Sequence, residues 1–198
     1  MLLSRFNFRL YVNGISVVKK KRLCTKLQLP SDVDAVIVYG YVDDRAGICF
    51  KTVGCAIYDP FSIVWIEEMP DYTISYQSLR DCEAMMYYDV DSATNARLWR
   101  RAADAIAKAH ETEGIRQTRT IGYLDRYRLD YHPDILLLPY AADPEDTVMI
   151  RLVEIDGTQI VGVVMADPEF FCSLREGDKV CIEANEEKEG IHVFMRRI

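Results

Sequence analysis

The way hydrophobic periodicity changes along this chain predicts an α+β protein. An N-terminal antiparallel sheet packed by two or three helices is followed by a C-terminal small β-barrel-like module. Three observations carry that prediction. Apolar, β-rich runs fill the stretch before Pro70, helical spacing takes over after it, and short strands bounded by turn residues return beyond position 143.

The first element reads as a hairpin. Phe6, Phe8, Leu10 and Val12 alternate, Asn13-Gly14 intervenes, and Ile15-Ser16-Val17-Val18 follows. Asn and Gly both tolerate positive φ, which a tight hairpin turn requires. Pro30-Ser31-Asp32 breaks the chain, and a meander is expected from runs at 35–42, about 48–58 and 61–67, separated by Asp43-Asp44 and Asp59-Pro60.

Beyond Pro70 the spacing of Tyr76, Leu79, Cys82 and Met86 predicts a helix over 75–88, with Ser75 as cap. A second helix is predicted from Ala93 to Glu113 on the stripe Leu98, Ala102, Ala105 and Ala109, with Ser92 as cap and Gly114 as stop. Residues 115–129 carry mixed signals. Ile121, Leu124 and Tyr127 favour a further helix packed antiparallel across Gly114, whereas Thr118, Thr120, Ile121 and Gly122 oppose it. Ile135–Leu138 reads as a short buried strand. The stretch 139–146, with two prolines and an acidic cluster, reads as a linker. It divides the chain into an α+β body (1–142) and a small β module (143–198). Strands at about 147–155, 158–166, 178–184 and 191–196 follow, with turns at Asp156-Gly157, Glu176-Gly177 and Glu189-Gly190.

At 198 residues, with 49% apolar and 28% charged side chains, the chain can bury a core without disulfide or metal staples. No apolar run approaches the roughly 18–20 residues that cross a bilayer, nor the about 7–15 of a secretory signal. A cytoplasmic protein with no membrane partner is expected. Cys24, Cys49, Cys55, Cys82, Cys172 and Cys181 form no Cys-x-x-Cys pair and read as reduced structural thiols.

Charge is unevenly placed. Residues 1–31 hold seven bases and no acid, whereas 143–198 hold thirteen acids and six bases. Lys19, Lys20, Lys21 and Arg22 offer a nucleic-acid face; the plainer reading is a lysine-guarded edge strand. The acidic body and the lack of interleaved aromatics argue against nucleic acid as the partner.

The C-terminal stretch carries a resemblance. Gly162-Val163-Val164-Met165-Ala166-Asp167-Pro168 followed by Leu174-Arg175-Glu176-Gly177-Asp178-Lys179-Val180 resembles a small bacterial domain of unknown function. In that family a strand leads into Gly-x-Leu-x-Asn-x-Pro and then a Gly-Asp corner. Here Val164 and Ala166 stand where the pattern has Leu and Asn, and an early Trp and a closing Asp-Trp are missing. The resemblance covers about the last quarter of the chain and implies a small β module. It implies no activity and no catalytic residue.

Chemistry-bearing constellations are sparse. Asp130-x-His132-x-Asp134 is the most metal-like, because alternate residues of an extended segment share a face. Three local ligands without a distant fourth are more often a polar loop, and His-Pro-Asp is ordinary turn chemistry. His110, His132 and His192 accompany no nucleophile motif, no Gly-rich phosphate loop occurs, and no cofactor is expected. The acidic pairs Asp43-Asp44, Glu67-Glu68 and Asp89/Asp91 lie at predicted element ends. Twelve tyrosines and the arginines Arg97, Arg100, Arg101, Arg116 and Arg119 suggest contact area, with Arg97, Arg101, Tyr123 and Tyr127 as candidate partner-binding residues. Tyrosine also serves a β-rich core.

The expected function is a non-catalytic protein-interaction protein, immunity-like in one version, whose partner is a protein. The alternatives are a metal-dependent hydrolase on Asp130, His132 and Asp134, and a nucleic-acid binder on the basic N-terminal segment.

Overall fold

The computed structural model describes residues 1–58, 63–65, 71–86, 92–109, 111–140, 143–170, 172–187 and 190–198. The chain is mixed α+β, with two antiparallel sheets and few helices, and it divides into two compact units, Met1–His110 and Glu111–Ile198.

In the first unit the strands are β1 (Ile15–Lys19), β2 (Ala35–Asp43), β3 (Gly47–Tyr58), β4 (Ile63–Trp65), β5 (Thr73–Ser75) and β6 (Ala84–Met86). They order as β4-β3-β2-β1-β6, with β5 also pairing β3. The helices are α1 (Lys21–Lys26), α2 (Tyr76–Leu79) and α3 (Ser92–Lys108). The unbroken apolar run of β2 has a simple cause: both of its faces are covered. Val36, Val38 and Val42 face one cluster with Phe50, Leu23 of α1 and Leu79 of α2. Ala35, Ile37, Tyr39 and Tyr41 face the other, where Leu98, Ala102 and Ala105 of α3 close over the sheet. A strand buried on both faces loses the period-two alternation of a half-solvated one.

The expected N-terminal hairpin is not formed. Residues Leu3–Arg5 and Phe8–Leu10 are 3₁₀ turns, and β1 pairs with β2 and β6 instead. Asn13 does take a positive φ of 60°. However, both edges of β1 are occupied, so no edge remains for residues 6–12. Their aromatic side chains are better buried against the sheet, where Tyr11 packs on Phe50 and Tyr76. β1 is therefore an interior strand, and Lys19 guards no edge.

The helix expected over 75–88 is a single turn, α2, followed by β6. Tyr76 and Leu79 are buried as predicted, but the following residues bond to β1 and to the N-terminal turns, including Leu3 N–H to Cys82 O. Ser75 makes no capping bond to the backbone of α2. The helix predicted over Ala93–Glu113 is observed as α3 on the predicted stripe, with Leu98 and Ala102 fully buried, but it ends at Lys108, and Glu113 opens α4 (Glu113–Thr118) instead. The acidic pair Asp43-Asp44 is a turn, in which Asp43 Oδ1 accepts from Arg45 and Ala46 N–H. Glu67, Glu68, Asp89, Asp91 and His110 lie outside the described residues.

The second unit begins with α4 (Glu113–Thr118), capped by Thr112, whose side chain accepts from Ile115 N–H. A 3₁₀ turn at Gly122–Tyr127 follows. The mixed signals of 115–129 thus resolve into two short pieces, and no helical hairpin forms across Gly114. That glycine lies inside α4, where a Cβ would meet Glu154 Cα at 3.2 Å. Six strands complete the unit: β7 (Arg128–Leu129), β8 (His132–Tyr140), β9 (Asp143–Asp156), β10 (Gln159–Val164), β11 (Lys179–Glu187) and β12 (Gly190–Arg197). They pair in sequence order, every ladder antiparallel.

The stretch read as a linker is the connection of the β8–β9 hairpin, with Tyr140 opposite Asp143. The strands on either side of position 142 therefore belong to one sheet. Its core gathers Leu136, Leu138, Val148, Ile150, Ile160 and Val180. A bulge between Val161 and Gly162 bends β10 over Ile150, whose Cγ2 lies 2.4 Å from the position a Cβ at Gly162 would take. The sheet curls until residues of β12 lie within 8 Å (Cα–Cα) of β8. No ladder joins those two strands among the described residues, so no closed barrel is observed.

All six cysteines are free, and all but Cys82 are buried. Burial pushes the Cys49 thiol up, with Asp43 adding to the shift, and burial likewise raises Cys24 and Cys181. A raised folded-state value favours the neutral thiol of the fold. Its contribution is complete below the unfolded thiol value of about 8.5 and fades as pH climbs through the folded value. The urea midpoint should therefore fall as pH rises above about 8.5, and half-buried Cys82 should be alkylated first in the native protein. A flat midpoint, or Cys49 reacting as fast as Cys82, would contradict this.

Candidate binding surfaces

The residues singled out from sequence fall into different structural roles. Asp130 is exposed in the turn between β7 and β8, while His132 and Asp134 are buried, at 2% and 6% exposure. Asp134 is committed to Arg119, whose Nε and Nη2 donate to Oδ1 and Oδ2 at 2.7 and 2.6 Å. Glu111 holds the same guanidinium from the other side. Arg128 reinforces the contact, donating to Thr118 O at 2.6 Å, to Pro133 O and to Asp125. The network fastens α4 and the 3₁₀ turn to β8. Among the described residues, no group of three or more His, Cys, Asp or Glu side chains is arranged to hold a metal ion. His192 is exposed on β12.

The four candidate partner-binding residues fall in two different units. Arg97 is exposed on α3 and donates to Thr94 Oγ1, and Arg101 stands 3.9 Å from Asp71. Tyr123 and Tyr127 are half-buried against the core of the second unit, with the Arg126 guanidinium 4.7 Å from the Tyr127 ring centroid. Burial raises the Tyr123 phenol above its ordinary value. Tyr11, Tyr39, Tyr41 and Tyr76 are core residues, so part of the tyrosine richness is structural.

A groove that the sequence did not single out lies on the second unit. It encloses ≈ 450 Å³ beside β8, β9 and the loop after β10. Antiparallel register sets Leu137 opposite Met149, on the face away from the core positions Leu136 and Leu138. Met149 is 37% exposed. Phe170 forms the far wall, its ring 5.4 Å from that of Tyr140. Asp146, Asp167 and Glu169 also line it, and no basic side chain does among the described residues. Asp167 is positioned by accepting from Glu176 N–H at 2.7 Å. The available sequence signal was the Ala166-Asp167-Pro168 segment. The Leu137–Met149 pairing has none, because it exists only through strand register.

The basic residues 19–22 are also divided. Lys19 pairs with Asp34 at 3.5 Å, and Lys21 donates to Val33 O at 2.7 Å and to Ser31 O. Lys20 turns inward and bonds Ser78 O. No helix among the described residues is long and apolar enough to cross a membrane. No protein family, curated protein or solved structure matches the chain.

Proposed function

We propose that the chain is a non-catalytic protein-binding protein whose second-unit groove receives a basic, apolar-bearing segment of a partner. The observation that carries this reading is the groove itself: exposed Met149 stands beside Leu137 and Phe170, and among the described residues three carboxylates and no cation line the groove. Methionine adapts its shape to a guest side chain, and unopposed carboxylates favour Lys or Arg beside it. The acidity of residues 143–198 extends the same field around the site. An immunity-like role is one form of this reading and rests on that acidity.

On this reading the second unit is a small barrel-like module, and the approach of β12 to β8 supports it. The six free thiols support a reducing, cytoplasmic setting.

Selection from a displayed random-peptide library tests the proposal. Enriched peptides should combine Lys or Arg with Leu, Ile or an aromatic residue. Met149→Asp should weaken them about tenfold or more, while leaving the far-UV spectrum unchanged. Neutral or acidic peptides that bind Met149→Asp as well as the wild type would refute it.

A further inference from the structure

A second site follows from how the first unit distributes its cations. Sequence alone presents Lys19, Lys20, Lys21 and Arg22 as one basic run, but folding removes two members. Lys19 is neutralised by Asp34, and Lys21, tied to the backbone of the Pro30–Val33 turn, is not among the residues that line the cleft holding the other two. Lys20 and Arg22 remain, and α1 brings Lys26 beside them. These three cations line a cleft of ≈ 650 Å³ between α1, β5 and the start of α2. No acid lines the cleft, and none of the three pairs with a carboxylate among the described residues.

Lys20 is half-buried, steadied by Ser78 O, with its Nζ 3.5 Å from Cys82 Sγ. Lys26 Nζ is held 3.2 Å from Tyr72 Oη and 5.6 Å from the centre of that ring. Arg22 is exposed. The floor is apolar: Leu23, Cys49 and Ile74 are each 5–6% exposed. Hydroxyls of Ser75 and Ser78, 3.2 Å apart, sit at the wall.

We propose that this cleft binds a phosphorylated small molecule, its phosphoryl group on Lys20, Arg22 and Lys26 and its organic part on the apolar floor. Three cations lining one cleft match a phosphate monoester, which carries about −1.5 to −2 at neutral pH. The cleft falls within the roughly 300–1,000 Å³ typical of small-ligand sites. A nucleic-acid strand requires a charged groove tracking several nucleotides with stacking aromatics, whereas here Lys19 and Lys21 are already engaged and Tyr72 is the single aromatic lining residue among those described. The net charge of −7 further opposes a polyanion. This site is independent of the peptide groove, so either proposal can fail without the other.

The test is an amide chemical-shift titration of the full chain with inorganic phosphate, glycerol 3-phosphate and adenosine monophosphate. Glycerol, adenosine and a single-stranded oligothymidylate serve as comparisons. Shifts should be confined to residues 20–26 and 72–78 and absent with the unphosphorylated compounds. Adenosine monophosphate should bind more tightly than inorganic phosphate, because only it reaches the floor. Arg22→Ala, at an exposed position that leaves the fold intact, should weaken binding about tenfold. The proposal is overturned by absence of shifts up to about 10 mM ligand, or by an Arg22→Ala variant that binds equally well. Equal affinity for phosphate and its esters would reduce the site to a bare anion contact, and tighter oligothymidylate binding would make it a nucleic-acid face. Either outcome refutes the small-molecule assignment.

Discussion

Replacing Asp134 with alanine is expected to destabilise the second unit by about 3–5 kcal/mol, because it leaves the Arg119 guanidinium buried without its bidentate carboxylate. Arg119 is 6% exposed and its partners are Asp134, in bidentate geometry, and Glu111. Desolvating a guanidinium is tolerable only while carboxylates face it, so the cost arises from the surviving charge as well as the lost bonds. Both Trp65 and Trp99 lie in the first unit, so tryptophan fluorescence reports that unit and far-UV circular dichroism reports both. In urea, Asp134→Ala should lower the dichroism midpoint while the fluorescence midpoint stays near the wild-type value.

The triple variant Glu111→Gln, Arg119→Met, Asp134→Leu removes the buried guanidinium together with the two carboxylates that face it. It should recover most of the loss, since apolar replacement of a buried ion network is often neutral or better. A single variant that loses less than about 1 kcal/mol would show that the network is solvated and not a structural fastening.

The second large effect is at Gly40. A methyl group there would sit 2.1 Å from Tyr11 O, 3.0 Å from Tyr11 C and 3.1 Å from Phe50 Cε1. The first two are backbone atoms, and the same chain pair is joined by Asn13 N–H to Gly40 O at 2.7 Å. Relief therefore requires shifting the N-terminal segment off β2, not turning a side chain. Gly40→Ala should cost the first unit about 3 kcal/mol or more. Tryptophan fluorescence is a suitable probe, because Trp99 packs edge-on against the neighbouring Tyr39. Adding Phe50→Leu should not rescue the variant. A rescue would place the strain on the ring instead of the Tyr11 carbonyl. Gly122→Ala is the control: nothing lies within 4 Å of its Cβ position, and stability should be unchanged or slightly raised.

Sequence determined those features that depend on local chemistry. The Leu98-Ala102-Ala105 stripe specified α3 and its buried face, and alternation with turn residues placed β9 to β12. Gly157 and Gly177 take the positive φ, 60° and 85°, that their turns require. Asp43 closed its turn for the same reason, through side-chain bonds to nearby N–H groups.

Tertiary structure decided everything that depends on which edge, face or partner was available. The alternation of Phe6, Phe8 and Leu10 is compatible with a strand, but both edges of β1 were taken and the aromatics found a better cover on the sheet. Tyr76, Leu79, Cys82 and Met86 have helical spacing, yet β6 gained a ladder with β1 that a helix would forfeit. The metal-like spacing of Asp130, His132 and Asp134 survives in the sequence, but Arg119 claims Asp134. The run of four basic residues is divided because Asp34 and a turn carbonyl lie within reach of Lys19 and Lys21. Leu137 and Met149 stand together only through register. Local pattern fixes what a segment can become; competition for hydrogen-bonding edges, apolar cover and counter-charges is non-local, and it selects which possibility is realised.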